Sequence, residues 1–154
     1  MGAAVVAHEQ ATLSGPIPAL VLRAAQFHEF VPQLVEWGLQ GAVSYVPRMR
    51  TQLIAARTVA HALAEMATDS AASPHSGPPF PEIAGPREER LSAAAELLVS
   101  RHGDPIRIEE VSDPARPETP VFESGGLLPG LNATLAGPTF EAWLEATLPT
   151  AAKR

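Results

Sequence analysis

The sequence predicts an α/β fold with a partly parallel sheet, on three observations. Helical and strand-like stretches alternate from the first residues to the last. Residues 17–22, IPALVL, form a continuous apolar run bounded by turn signals, the pattern of a strand covered on both faces. Hydrophobic residues make up 45% of the 154 positions and charged residues 18%, enough apolar material for a core at this length.

Each element follows from its residues. Residues 1–12 read as a short helix with Ala4, Val5, Ala7 and Ala11 on its apolar side, broken by Ser14-Gly15-Pro16. The run 17–22 is the expected strand. Phe27, Phe30, Val31, Leu34 and Gly38 recur at helical spacing, with Pro32 tolerated in the first turn and Gly38 and Gly41 ending the helix. Residues 42–46 suit a short strand and 47–50 a loop. A helix is expected over 55–68, with Val59, Leu63 and Met66 on its buried face. Residues 70–81 are rich in Ser, Pro, Gly and His and must be a loop; 80–84 form a brief extended segment.

Gly85-Pro86 then opens a helix. Pro86 suits its first position, Glu88 and Glu89 complement its positive end, Arg101 and His102 its negative end, and Gly103 stops it. Ile106 and Ile108 alternate with Arg107 and Glu109, a half-buried strand. Residues 114–120 and 125–137 read as irregular. The last helix runs from an N-cap at Thr139 to Leu148, with Phe140, Trp143, Leu144 and Leu148 on its apolar face.

Composition narrows the function classes. The net charge is −6 and the sequence pI about 5.3, which argues against a nucleic-acid partner. The absence of cysteine excludes disulfides and thiolate sites. No stretch approaches 18 uninterrupted apolar residues and the start is a poor secretory signal, so a cytoplasmic chain without membrane contact is expected. The five histidines, at 8, 28, 61, 75 and 102, lack the spacing of a zinc site, so no metal is expected. A dinucleotide site would show a glycine-rich turn between a strand and a helix, and none is found: Gly38 and Gly41 lack the third glycine, and Gly125-Gly126 runs into Leu127-Leu128-Pro129.

Against that background, residues 17–30, IPALVLRAAQFHEF, resemble a segment of the form IPxTILRATQFHEF in NmrA-like atypical short-chain dehydrogenases. His8-Glu9 followed by Ser14-Gly15 is similar to the family's helix before that strand. Residues 47–54 with 55–67, the stretch Glu82-Ile83-Ala84-Gly85-Pro86, and Gly125 to Pro129 with Thr139 to Leu144 resemble its later parts. The resemblance implies a partial Rossmann-like parallel sheet with helices over residues 1–72. It implies a small carboxyl-terminal α+β subdomain on the substrate side over residues 73–154. The family's Tyr-x-x-x-Lys pair is missing: its lysine position falls at Val5, and the sole tyrosine, Tyr45, lies elsewhere. The catalytic group is therefore unassigned.

The resemblance implies that Arg23, Ala24, Gln26 and Phe27 contact an NAD(P)H cofactor and that Phe27, His28 and Phe30 contact a small-molecule substrate. From the residues alone other roles stay open. Phe27 and Phe30 suit a core, and Gln26 a loop cap. Arg23 offers a donor fork to phosphate or carboxylate, or an ion pair to Glu29 or Glu36. His28-Glu29 suits an acid/base pair or a solvated helix start.

Two functions follow as expectations. One is the substrate-side portion of an NAD(P)H-dependent oxidoreductase, inactive or cofactor-deficient alone and needing a complementary amino-terminal polypeptide or self-association. The other is a non-catalytic NmrA-like binding or regulatory module, or a truncated remnant.

Overall fold

The computed structural model describes residues 3–147. Over them the chain is mixed α/β, with six helices and small parallel and mixed sheets. In order these are α1 (Ala3–Leu13), β1 (Arg23–Ala24), α2 (Phe30–Trp37), β2 (Leu39–Gln40), β3 (Val43–Pro47), β4 (Arg50–Thr51) and α3 (Ala56–Thr68). There follow β5 (Glu82–Ala84), β6 (Glu89–Arg90), α4 (Leu91–His102), β7 (Arg107–Val111), α5 (Thr119–Ser124), β8 (Thr134–Leu135) and α6 (Phe140–Thr147). No helix among the described residues is long and apolar enough to cross a membrane.

Three small sheets form. One is parallel throughout, in the order β1-β5-β8. In the second, β2 and β3 make an antiparallel hairpin and β7 adds parallel to β3 over five residue pairs. The hairpin turns at Gly41, whose φ of +64° a residue with a side chain would adopt only with strain. The third sheet is the antiparallel pair β4-β6. In each sheet a strand before residue 73 pairs with one after it, and the main core draws on both stretches.

That core gathers on α4. Leu91, Ala94, Ala95, Leu98 and Val99 pack against Val31 and Val35 of α2, Val46 of β3, Leu53, and Phe140 and Leu144 of α6. A smaller cluster, Ile54, Val59 and Ile83, lies between α3 and β5. The stop of α4 follows the expectation: Gly103 sits in the left-handed region at φ +73°, and the Asp104 N–H donates to the Val99 carbonyl at 3.0 Å. The start of α6 does too, since Thr139 Oγ1 accepts the Ala142 N–H at 3.2 Å. Leu148, assigned to that helix from the sequence, and residues 1–2 of the first helix lie outside the described residues.

Several expectations are corrected. Residues 17–22 form no strand; they run irregularly and half-buried at best, with Ile17 exposed. Parallel pairing begins only at Arg23, where Glu82 supplies a partner. Pro16 and Pro18 lack the N–H that a ladder needs upstream.

The helix placed at Pro86 starts instead at Leu91, because Glu89 and Arg90 are drawn into pairing with Thr51 and Arg50. Helix α2 starts at Phe30 and buries Val31 and Val35, leaving Phe27 and Phe30 exposed, so neither phenylalanine is core. In α3 only Val59 is buried; Leu63 is exposed. The small apolar residues of α1 face solvent, and the one buried residue there is Glu9. Helix α5 begins inside the first stretch read as irregular, at Thr119, and β8 lies in the second.

Candidate functional site

A hollow of about 750 Å³ opens beside β1. Its walls are α1 (Val5, His8, Glu9, Thr12), residues 20–27, Leu63 of α3, Glu82 and Ile83 of β5, and the turn 126–129. A hollow of this size falls within the roughly 300–1,000 Å³ typical of small-molecule clefts.

Backbone pairing positions the 20–27 segment. The N–H groups of Arg23 and Ala25 donate to the carbonyls of Pro81 and Ile83, both at 3.0 Å. Beyond the strand, the Ile54 N–H donates to the Gln26 carbonyl at 3.0 Å and the His28 N–H to the Ile54 carbonyl at 2.9 Å. Strand N–H groups alternate between edges, so Ala24 turns its backbone away from β5, toward an edge of β1 that pairs with no other strand among the described residues. Upstream, the Val21 N–H donates to His75 Nδ1 at 2.9 Å, which pins the long loop after α3 to the cleft segment.

One charged cluster marks the cleft. Arg23 Nε and Nη2 donate to Glu9 Oε1 and Oε2 at 2.7 and 2.9 Å, a bidentate pair. Glu82 Oε1 lies 4.0 Å from Arg23 Nη1, and Glu82 Oε2 accepts the Gly130 N–H at 2.7 Å. The guanidinium also lies 5.0 Å from the centroid of the Phe80 ring. The bond from Arg23 holds the Glu9 carboxyl below its ordinary range, and the same bond raises Arg23, so both are charged at neutral pH. Nearby, the Thr51 hydroxyl donates to Gln26 Oε1 at 2.6 Å and fixes that side chain.

Of the residues singled out in the sequence, Arg23, Ala24, Gln26 and Phe27 come together in this cleft. His28 and Phe30 do not line it. The chain turns at His28-Glu29 and winds into α2, which carries both side chains away. His28 is fully buried, its ring 5.5 Å from that of Phe140 and 5.3 Å from that of Trp143. Neither ring nitrogen has a hydrogen-bond partner; the Leu53 carbonyl is near without meeting hydrogen-bond geometry. Burial pushes its pKa below the ordinary value.

Glu29 points elsewhere and accepts the Ala56 N–H, capping α3, so the two do not form an acid/base pair. Arg23 pairs with neither Glu29 nor Glu36. Phe30 packs edge-on against Trp37, ring centroids 5.5 Å apart, on the outside of the molecule. Among the described residues no three of His, Asp and Glu gather as metal ligands.

Sequence reasoning did not foresee Glu9, Leu63 or the 126–129 turn as cleft walls. Glu9 carried a signal: it is the sole acidic residue in the apolar, alanine-rich α1. The chain matches no family model, and comparison with curated proteins and with solved structures finds no match.

Proposed function

We propose that this chain is the substrate-side portion of an NAD(P)H-linked reductase of the atypical short-chain dehydrogenase kind, acting on a small organic molecule. One observation carries the reading. Arg23, Ala24, Gln26 and Phe27, implied by the resemblance, line one cleft that runs along a parallel strand and onto the loop leaving its carboxyl end.

In this reading the cofactor supplies the hydride and the chain supplies shape and orientation. The glycine-rich half comes from sequence upstream or from a second polypeptide, and the unpaired edge of β1 is where its strands would add to the Rossmann-like sheet. The residues present fit a dinucleotide poorly. The guanidinium that would meet a phosphate is taken by Glu9, and no glycine-rich turn cradles a pyrophosphate. That same closed fork favours, as the second reading, a binding module without catalysis.

Titration of the isolated chain with NADPH, followed by nucleotide fluorescence, tests the split between halves. Weak or no binding is expected. Tight binding would overturn the claim that the cofactor half is elsewhere. The upstream DNA separates the two readings: an in-frame strand followed by a glycine-rich turn supports the reductase, and a nearby stop codon leaves the binding module.

A further inference from the structure

We infer that the cleft beside β1 takes an uncharged, largely apolar ligand, and that the Glu9–Arg23 pair turns anions away from it. This rests on reading the cleft as the ligand site and adds the ligand's chemical class.

Charge and surface argue together. Among the described residues Arg23 is the one Lys or Arg lining the cleft; Glu9 fills the Nε–Nη2 edge of its guanidinium, and the Glu82 carboxylate stands 4.0 Å from Nη1. Glu9 and Glu82 against Arg23 leave the formal charge at −1. An anion entering here loses its hydration, finds the bidentate edge of Arg23 taken, and meets the carboxylates of Glu9 and Glu82 beside the remaining guanidinium N–H groups. Displacing Glu9 to gain the fork would leave that carboxylate unpartnered beside it. Beside the polar His8, Thr12 and Gln26, the rest of the wall is mostly apolar, Val5, Leu20, Leu22, Leu63, Phe27 and Leu128 among it, with Phe27 and Leu63 presenting open apolar surface. An apolar molecule gains from covering that surface and asks nothing of the ion pair.

Two fluorophores that share an anilinonaphthalene body test this at pH 8, above the ordinary histidine range. N-phenyl-1-naphthylamine is neutral, and its sulfonate analogue ANS is an anion. The neutral probe is expected to bind at least about tenfold more tightly than ANS. Glu9→Gln, which breaks the bidentate pair, is expected to tighten ANS several-fold relative to the neutral probe. Because that variant loosens α1, Glu82→Gln serves as a second, removing a carboxylate without touching the bidentate pair, and is expected to tighten ANS by a smaller factor.

Equal binding of the two probes to the native chain overturns the inference, as does ANS affinity unmoved in both variants. Leu63→Trp fills the cleft and keeps the two readings apart. If it leaves the neutral probe's affinity unchanged, the probe sits elsewhere and the cleft itself fails as the ligand site. If it abolishes binding while ANS rivals the neutral probe, the site stands and the charge argument falls.

Discussion

Around α4, eleven apolar residues are buried in one cluster that four elements share; beside β1 the buried cluster holds three, and an ion pair ties α1 to the strand. Helix α4 turns Leu91, Ala94, Ala95, Leu98 and Val99 inward, so its position follows from area removed from water. Helix α1 buries only Glu9, and its small apolar residues remain wet. It is held to β1 by two hydrogen bonds of one ion pair. The first region spends its apolar surface on stability. The second leaves Phe27 and Leu63 open, which is what a ligand site requires and a core does not tolerate. The two regions should therefore answer differently to substitution.

The largest effect belongs to the core. Leu98→Ala, at a position 3% exposed, removes buried methyl groups from the centre of the α4 cluster. It is expected to cost about 2–5 kcal/mol in urea unfolding, with binding of the neutral probe preserved in the fraction that remains folded. A cost below about 1 kcal/mol would mean that the cluster can collapse around the gap, and the contrast between regions would lose its basis.

Acid sharpens the contrast next: Glu9 of the cleft is also held below its ordinary range, but two groups of the α4 region, Glu110 and His28, answer in separate windows. Glu110 of β7 is pushed up by partial burial. Hydrogen bonds from Ser92, Arg90 and Arg48 overcome that and hold it at about 2, against an ordinary 4.5. Its folded value is the lower one, so its contribution is whole above about 4.5 and is lost as the pH falls from there toward 2. The amount is on the order of 2–3 kcal/mol, allowing for screening.

His28 acts in a higher window. Its folded value is also depressed, and the unfolded chain takes up the proton first, so stability falls as the pH drops below the ordinary 6.5. Urea midpoints measured from pH 8 to pH 3 should show both losses. Glu110→Gln should flatten the lower window and His28→Leu the upper one. His28→Leu should cost little at pH 8, because both ring nitrogens are already without partners. If each variant keeps the native profile, acid acts through other groups.

The same contrast explains what could be read in the sequence. Features set by neighbours along the chain were legible. Gly103 stops α4 by its backbone, Thr139 caps α6 three residues ahead, and Phe140, Trp143 and Leu144 share a helical face. Features set by distant partners were not. The start of α4 moved to Leu91 because Arg50 and Thr51, forty positions away, claim Arg90 and Glu89 for a strand pair. Residues 17–22 carry the apolarity of a buried strand, but among the described residues no strand pairs with them.

The site divides likewise. Arg23, Ala24, Gln26 and Phe27, singled out by the resemblance, share the cleft because one extended segment carries them. His28 and Phe30 were misplaced because a turn after Phe27 converts strand alternation into helical rotation. Glu9 and Leu63 reach the cleft only through the packing of α1 and α3.

Leu63 gives the smallest effect on stability and the clearest separation of the regions. It lies on α3 four residues after Val59, at a spacing that from sequence belongs to the buried face, yet it is 45% exposed and lines the cleft. A leucine so exposed contributes little to folding, and glutamine keeps helix propensity, so Leu63→Gln should move the unfolding free energy by no more than about 0.5 kcal/mol. The same change puts an amide against the apolar wall and should weaken the neutral probe several-fold, read by fluorescence titration on the native protein. Were Leu63→Gln to destabilise the chain as Leu98→Ala does, Leu63 would be core that breathes open rather than ligand surface. The cleft would then be a defect in packing, and the division between a region that folds and a region that binds would not hold.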